Sequence, residues 1–68
     1  MGVQIRIFKK IVEPTAVRDA RRMAGMTQRE LGLVIDRSQA EISAYERSLV
    51  RFSVEEQRAL GRAVGLLP

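Results

Sequence analysis

The sequence contains no cysteine and no histidine. Without cysteine there are no disulfides and no thiolate metal sites. Without histidine the commonest general base and the commonest metal ligand are gone. An enzyme would have to rely on carboxylates, lysines, serines or the single tyrosine, in a chain of 68 residues with no room for an effector domain or a ligand pocket. Apolar runs are short and broken by charge, so nothing reads as a membrane span. The N-terminus lacks the long apolar stretch of a signal peptide, and a cytoplasmic location is the expectation. No internal repeat, low-complexity linker, glycine-rich phosphate loop, nucleophile–base pair or metal-ligand cluster is present. No metal and no cofactor is expected, and catalysis is the least favoured function.

What the chain does have is enough apolar content to fold, 46%, in one domain with one modest core. Chains of this size need efficient helix packing, or a partner, to be stable. Twelve Lys and Arg face eight Asp and Glu, a net charge of +4. That excess suits an anionic partner such as nucleic acid, although many soluble proteins carry similar charge.

The first segment, residues 3–12, reads VQIRIFKKIV. Val3, Ile5 and Ile7 alternate with Gln4 and Arg6, which favours a β-strand over residues 3–8. Ile5, Phe8 and Val12 also fit a helical stripe. Glu13-Pro14-Thr15 breaks the segment, because proline disfavours helix in the residue before it. Residues 1–13 are therefore expected to form a strand or arm, and residues 14–68 the folded domain. One strand cannot satisfy its own edges, so Val3, Ile5 and Ile7 are candidates for pairing with a second copy or with another protein. As a disordered arm, the segment would still offer Arg6, Lys9 and Lys10 to phosphates.

Four helices are expected after it. The first spans about Thr15 to Ala24, with Val17, Ala20, Arg21 and Ala24 on one face and Gly25 placed to end it. Thr27-Gln28-Arg29-Glu30, Ser38-Gln39-Ala40-Glu41 and Ser53-Val54-Glu55-Glu56 each match a capping box. In that motif a hydroxyl caps a free N–H and the glutamate three residues on reaches back. They predict helices over about Gln28–Val34, Gln39–Arg47 and Val54–Val64. Inward positions are Leu31 with Val34 or Ile35, then Ile42, Tyr45 and Leu49, then Val54, Gln57, Leu60 and Val64.

Only about Ile35 to Ser38 separates the second and third helices, which forces a sharp corner of the helix-turn-helix kind. On a wheel of about 100° per residue, Ile42, Tyr45 and Leu49 fall on one side of the third helix. Ala40, Ser43, Ala44 and Arg47 fall opposite, flanked by Gln39 and Glu41. This outer face is short and polar, as a helix approaching base edges requires. Glutamine pairs with adenine and alanine methyls meet thymine methyls. A plain solvated face has the same composition. The starts at Gln28 and Gln39 present free N–H groups that suit phosphate. Arg21 lies on the apolar stripe of the first helix, where a charge must be paired. Glu46, beside the inner face of the third, is its expected partner.

The stretch Val17–Leu66, and above all GMTQREL and SQAEISAYERS, resembles the lambda-repressor-like (Cro/Xre-type) helix-turn-helix family over about three quarters of the chain. The resemblance implies an all-α, compact bundle of four or five helices that binds pseudo-palindromic double-stranded DNA operators, commonly as a homodimer. It implies base contacts from Gln39, Ala40 and Ala44, with Ser38, Glu41 and Ser43 close by, and phosphate contacts from Gln28 and, in the loop 48–53, Arg51. Taken with the outer face of the third helix and the helix starts, the expected base-contacting set is Gln39, Ala40, Ser43, Ala44 and Arg47, and the expected phosphate-contacting set is Thr27, Gln28, Ser38, Glu41 and Arg51. The Arg21–Glu46 pair is structural in that pattern. The chain departs from it at Asp36 and Ser48, which replace glycines. Aspartate tolerates the positive φ needed there. Gly32 replaces alanine and is expected to weaken its helix by up to roughly 1 kcal/mol. Leu49, Val50 and Phe52 make the loop unusually apolar, either as an extension of the core or as a dimer contact.

Two functions follow as expectations. One is a small DNA-binding transcriptional regulator, most simply a repressor acting by operator occupancy, like those of phages and mobile elements. The other is a protein-interaction module on the same fold, such as an antitoxin or a co-activator bridge, suggested by the apolar segments 3–8 and 49–52.

Overall fold

A computed structural model describes residues 9–68. It contains four helices: α1 (Pro14–Met23), α2 (Gln28–Val34), α3 (Gln39–Glu46) and α4 (Val54–Ala63). Among the described residues there is no strand. The strand expected over residues 3–8 lies outside them.

Each helix start has a local cause. Pro14 occupies the first turn of α1 after an extended Glu13. There its fixed φ fits the helix and its missing N–H leaves no gap, so α1 begins one residue earlier than expected. Thr27, Ser38 and Ser53 each cap the helix that follows, and all three capping boxes are complete in both directions.

The helix ends share one device. Met26 N–H donates to Arg21 O, Arg37 N–H to Gly32 O, Leu49 N–H to Ala44 O and Leu66 N–H to Gly61 O, at 2.8 to 3.0 Å. Each bond closes over a residue with positive φ: Gly25 (71°), Asp36 (55°), Ser48 (59°) and Gly65 (84°). This is the Schellman ending, which satisfies carbonyls that the helix leaves open. Ala24, expected on the buried stripe of α1, is the cap residue and is exposed.

The core draws one fully buried side chain from each helix: Val17, Leu31, Ile42 and Leu60. Tyr45 and Phe52 add a stacked pair with ring centroids 4.5 Å apart, and Val12 closes the core from the segment before α1. Phe52 thus extends the core. Leu49 does not: it was expected inward and is 66% exposed, with Val50 also facing out. The reason is local. α3 ends at Glu46 and the left-handed Ser48 turns the chain, so the helical spacing from Ile42 and Tyr45 stops before it reaches Leu49.

Gly32 also needs correction. Its weakness as a helix former is secondary, because a Cβ there would overlap the backbone carbonyl of Arg37 and press on Ile42. The glycine lets the chain after α2 fold back directly onto the helix.

Candidate nucleic-acid interface

Four residues, Ile35 to Ser38, join α2 to α3. Asp36 supplies the left-handed turn, and the N–H groups of Ile35 and Arg37 both donate to Gly32 O. The Arg37 side chain then ties three parts of the fold together. Its Nη1 donates to Glu41 Oε2 at 2.7 Å, and its Nε donates to Glu56 Oε2 at 2.7 Å. Its guanidinium also sits over the Phe52 ring, 5.1 Å from the centroid. Glu41 and Glu56 are the capping-box glutamates of α3 and α4. Glu41 is held below the usual carboxylate range by the Ser38 N–H and then by Arg37. Glu56 is lowered by Arg37 and, more weakly, by Ser53.

The inner face of α3 is fixed by charge as well as packing. Arg21 Nε and Nη2 donate to the two oxygens of Glu46 at 2.7 and 3.0 Å, with both side chains buried. Arg21 Nη1 also donates to Met26 O at 2.8 Å. Hydrogen bonding to Glu46 raises the arginine pKa further. Gln28 Nε2 donates to Glu46 Oε1 at 3.0 Å, so the first residue of α2 is joined to the same carboxylate.

The outer face of α3 carries Gln39, Ala40 and Arg47 exposed, with Ser43 and Ala44 half-buried. Arg47 is the cap residue beyond the helix, and its Nε donates back to Ser43 O at 3.3 Å. Beside this face lies a shallow hollow lined by Arg21, Arg22, Thr27, Gln28, Arg29 and Gln39. It brings the end of α1 and the starts of α2 and α3 to one surface. Sequence reasoning missed Arg22 and Arg29 here. Both are exposed arginines, Arg22 on α1 and Arg29 on α2, and only the packing of these two helices with α3 sets them beside Gln39.

The phosphate-facing candidates divide. Thr27 and Ser38 are exposed; their oxygens accept the N–H groups of Glu30 and Glu41, at 3.0 and 3.1 Å. Each hydroxyl proton is left to donate. Gln28 is half-buried and has spent one of its two amide hydrogens on Glu46. Glu41 is engaged within the fold. Its oxygens accept from Ser38 N–H and from Arg37, and a carboxylate with a lowered pKa repels phosphate rather than binding it. Arg51 is exposed but lines a different concavity, with Lys9, Lys10, Tyr45 and Ser48. Val3, Ile5 and Ile7 fall outside the described residues, whereas Leu49 and Val50 form an exposed apolar step after α3.

That second concavity lies between the segment before α1 and the loop before α4. It is a cleft of about 320 Å³, at the small end of the range for ligand sites. Gln57 builds its walls. Its Oε1 accepts from Ile11 N–H and Val12 N–H, and its Nε2 donates to Lys9 O and Phe52 O. One buried amide therefore pins both the segment before α1 and the loop before α4. The helical stripe predicted Gln57 to face inward, but three of its four bonds reach 45 or more residues away, to the first segment, and the fourth reaches Phe52 in the preceding loop.

Among the described residues, no helix is long and apolar enough to cross a membrane, and no group of His, Cys, Asp or Glu is placed to hold a metal ion. In the comparisons with known proteins, no family model, no curated protein and no solved structure matches the chain.

Proposed function

We propose that the chain binds double-stranded DNA in a sequence-specific manner, with α2 and α3 acting as a helix-turn-helix and α3 entering the major groove. The observation that carries this is the contrast between the two faces of α3. The inner face is held by Ile42, Tyr45 and the Arg21–Glu46 pair, while the outer face offers Gln39, Ala40 and Arg47 with no bulky apolar group. An α-helix with its side chains is about 10–12 Å across, which fits a major groove about 12 Å wide.

In this reading Gln39, Ala40, Ser43, Ala44 and Arg47 meet base edges. Thr27, Gln28 and Ser38 hold the phosphate backbone, joined by Arg22 and Arg29 from the adjoining hollow. Phosphate contacts fix register, and base contacts read sequence. With two alanines on the reading face, specificity leans on methyl contacts, DNA shape and two linked copies. The protein then acts as a small nucleoid-associated transcriptional regulator, most simply a repressor, by occupying an operator as a homodimer.

The test is a selection from randomised duplexes with the purified protein, read by sequencing. A preferred site made of two half-sites is expected, and their spacing reports the dimer geometry. Gln39→Ala abolishes the preference with the fold unchanged. Absence of any preferred sequence refutes the reading.

A second reading, a protein-interaction module, is favoured by the exposed Met23 (91%), Leu33 (76%) and Leu49 (66%). It predicts a stable hetero-complex, and DNA affinity indifferent to changes at Gln39 and Ser43.

A further inference from the structure

Gln28 stands where the buried ion pair meets the surface hollow. Its Nε2 donates to Glu46 Oε1 at 3.0 Å. The same oxygen accepts from Arg21 Nη2 at 3.0 Å, and Glu46 Oε2 accepts from Arg21 Nε at 2.7 Å. Arg21 is held in turn by Met26 O, to which its Nη1 donates at 2.8 Å. The carboxylate is therefore fixed from its far side, on a side chain only 2% exposed. Gln28 is half-buried and lines the hollow with Arg22, Arg29 and Gln39. Chemistry decides which way its amide faces. A carboxylate paired with arginine only accepts, so the amide must turn its nitrogen toward Glu46. The flipped amide would set oxygen against oxygen and leave the site unsatisfied. One Nε2 hydrogen is engaged and the other remains. A phosphate oxygen also only accepts, so that second hydrogen is the part of the amide able to hold it.

We propose that Glu46 is a positioning residue for DNA binding: it orders the Gln28 amide in the free protein, with one hydrogen directed to a backbone phosphate. Glu46 is buried and touches no DNA itself; it acts through Gln28. This inference rests on the DNA reading and deepens it. The entropy of fixing a long polar side chain is lost on folding rather than on binding, which tightens the complex. The Arg21–Glu46 pair thereby does more than join α1 to α3. It carries the rigidity of the core to a contact on the backbone of the duplex.

The experiment measures affinity for the duplex preferred in the randomised selection, by fluorescence anisotropy, in two backgrounds. One is the parent protein. The other is the double variant Arg21→Met with Glu46→Leu, which removes the carboxylate without stranding a charge. In the parent, Gln28→Ala is expected to weaken binding about tenfold, the effect of losing a hydrogen bond to a charged group. In the apolar background the same change is expected to cost about twofold, because the amide there is no longer ordered in advance. A purely structural role for Glu46 would leave the cost of Gln28→Ala equal in both backgrounds, and that result overturns the proposal. A second measurement needs no variant. In the free, ¹⁵N-labelled parent chain the Gln28 side-chain order parameter is expected near the rigid value of about 0.85, with exposed Gln39 below about 0.6. A Gln28 amide as mobile as that of Gln39 overturns the proposal even if the double variant does not fold. Absence of any preferred duplex refutes the DNA reading and this role with it, whereas specific binding with equal losses refutes this role alone.

Discussion

Arg37 holds both oxygens of Glu56, through Nε at 2.7 Å and Nη2 at 3.3 Å, while Glu56 Oε1 still accepts the Ser53 N–H at 3.1 Å. One carboxylate therefore closes the cap of α4 and fastens that helix to the corner between α2 and α3. Through Nη1 the same guanidinium also engages Glu41, the capping glutamate of α3.

This arrangement predicts an acid limb in stability. Glu41 and Glu56 titrate lower in the folded protein than in the unfolded chain. Their contribution is complete above the ordinary carboxylate range and is lost as pH falls through their folded-state values. Arg37→Ala removes the leading cause of the shift at Glu56 and the second cause at Glu41. Thermal melts from pH 7 to pH 3 should show the variant less stable at neutral pH, with the gap to the parent protein narrowing as pH falls. A gap constant with pH would show that Arg37 acts through packing on Phe52 alone.

The buried Arg21–Glu46 pair should behave as a unit. Removing either partner alone, as Arg21→Met or Glu46→Leu, strands a buried charge and costs about 3–5 kcal/mol. The double variant replaces both charges with apolar groups and should recover a large part of that loss. Urea unfolding of the four proteins gives the coupling directly. Additive losses would mean that the two charges stand independently.

Gly32→Ala sets helix propensity against packing. Propensity alone favours alanine by up to about 1 kcal/mol. The added Cβ, however, meets the Arg37 carbonyl oxygen, and such overpacking costs about 1–3 kcal/mol. The expected outcome is a lower urea midpoint. A higher midpoint would show that the corner yields without strain.

Ser48→Gly should stabilise the protein by about 0.5–1 kcal/mol. A left-handed φ penalises an L-residue by more than glycine loses in chain entropy. The gain at Asp36→Gly should be smaller, because aspartate tolerates that region better than serine. Paired thermal melts rank the two, and a larger gain at Asp36 would contradict this ordering.

Gln57→Glu should be more damaging than its size suggests. The Nε2 donates to two backbone carbonyls, Lys9 O and Phe52 O. A carboxylate would turn an oxygen toward both, losing two bonds and adding repulsion, at about 2–4 kcal/mol in all. Protection of the Ile11 and Val12 amides in hydrogen exchange should fall with it. Retained protection would show that the segment is held by Val12 burial alone.

The burial of Tyr45 pushes its phenol up to about 12, with the charges of Glu13 and Glu46 adding to the effect. The phenol therefore stays protonated at neutral pH.

What the amino-acid sequence by itself determined is what three or four neighbouring residues can decide. A hydroxyl followed three places later by glutamate closes a capping box wherever it occurs, and Thr27, Ser38 and Ser53 set the starts of α2, α3 and α4 for that reason. Gly25 and Gly65 mark ends because glycine enters the left-handed region without strain. The apolar stripes then follow from helical spacing, and Leu31, Ile42 and Leu60 could be placed inward before any packing was known. Tertiary structure decided everything that depends on distant partners. Phe52, outside any helical stripe, takes a place in the core by stacking on Tyr45. Gly32 is required by the carbonyl of a residue beyond its helix. Glu41, legible as a cap, is also held by Arg37. Gln57 lies on a predictable stripe, but its four hydrogen bonds reach the first segment and the preceding loop. Helical periodicity reports which side of a helix is apolar. It carries no information about which polar groups on other elements will meet there, and those meetings built both the corner before α3 and the cleft beside it.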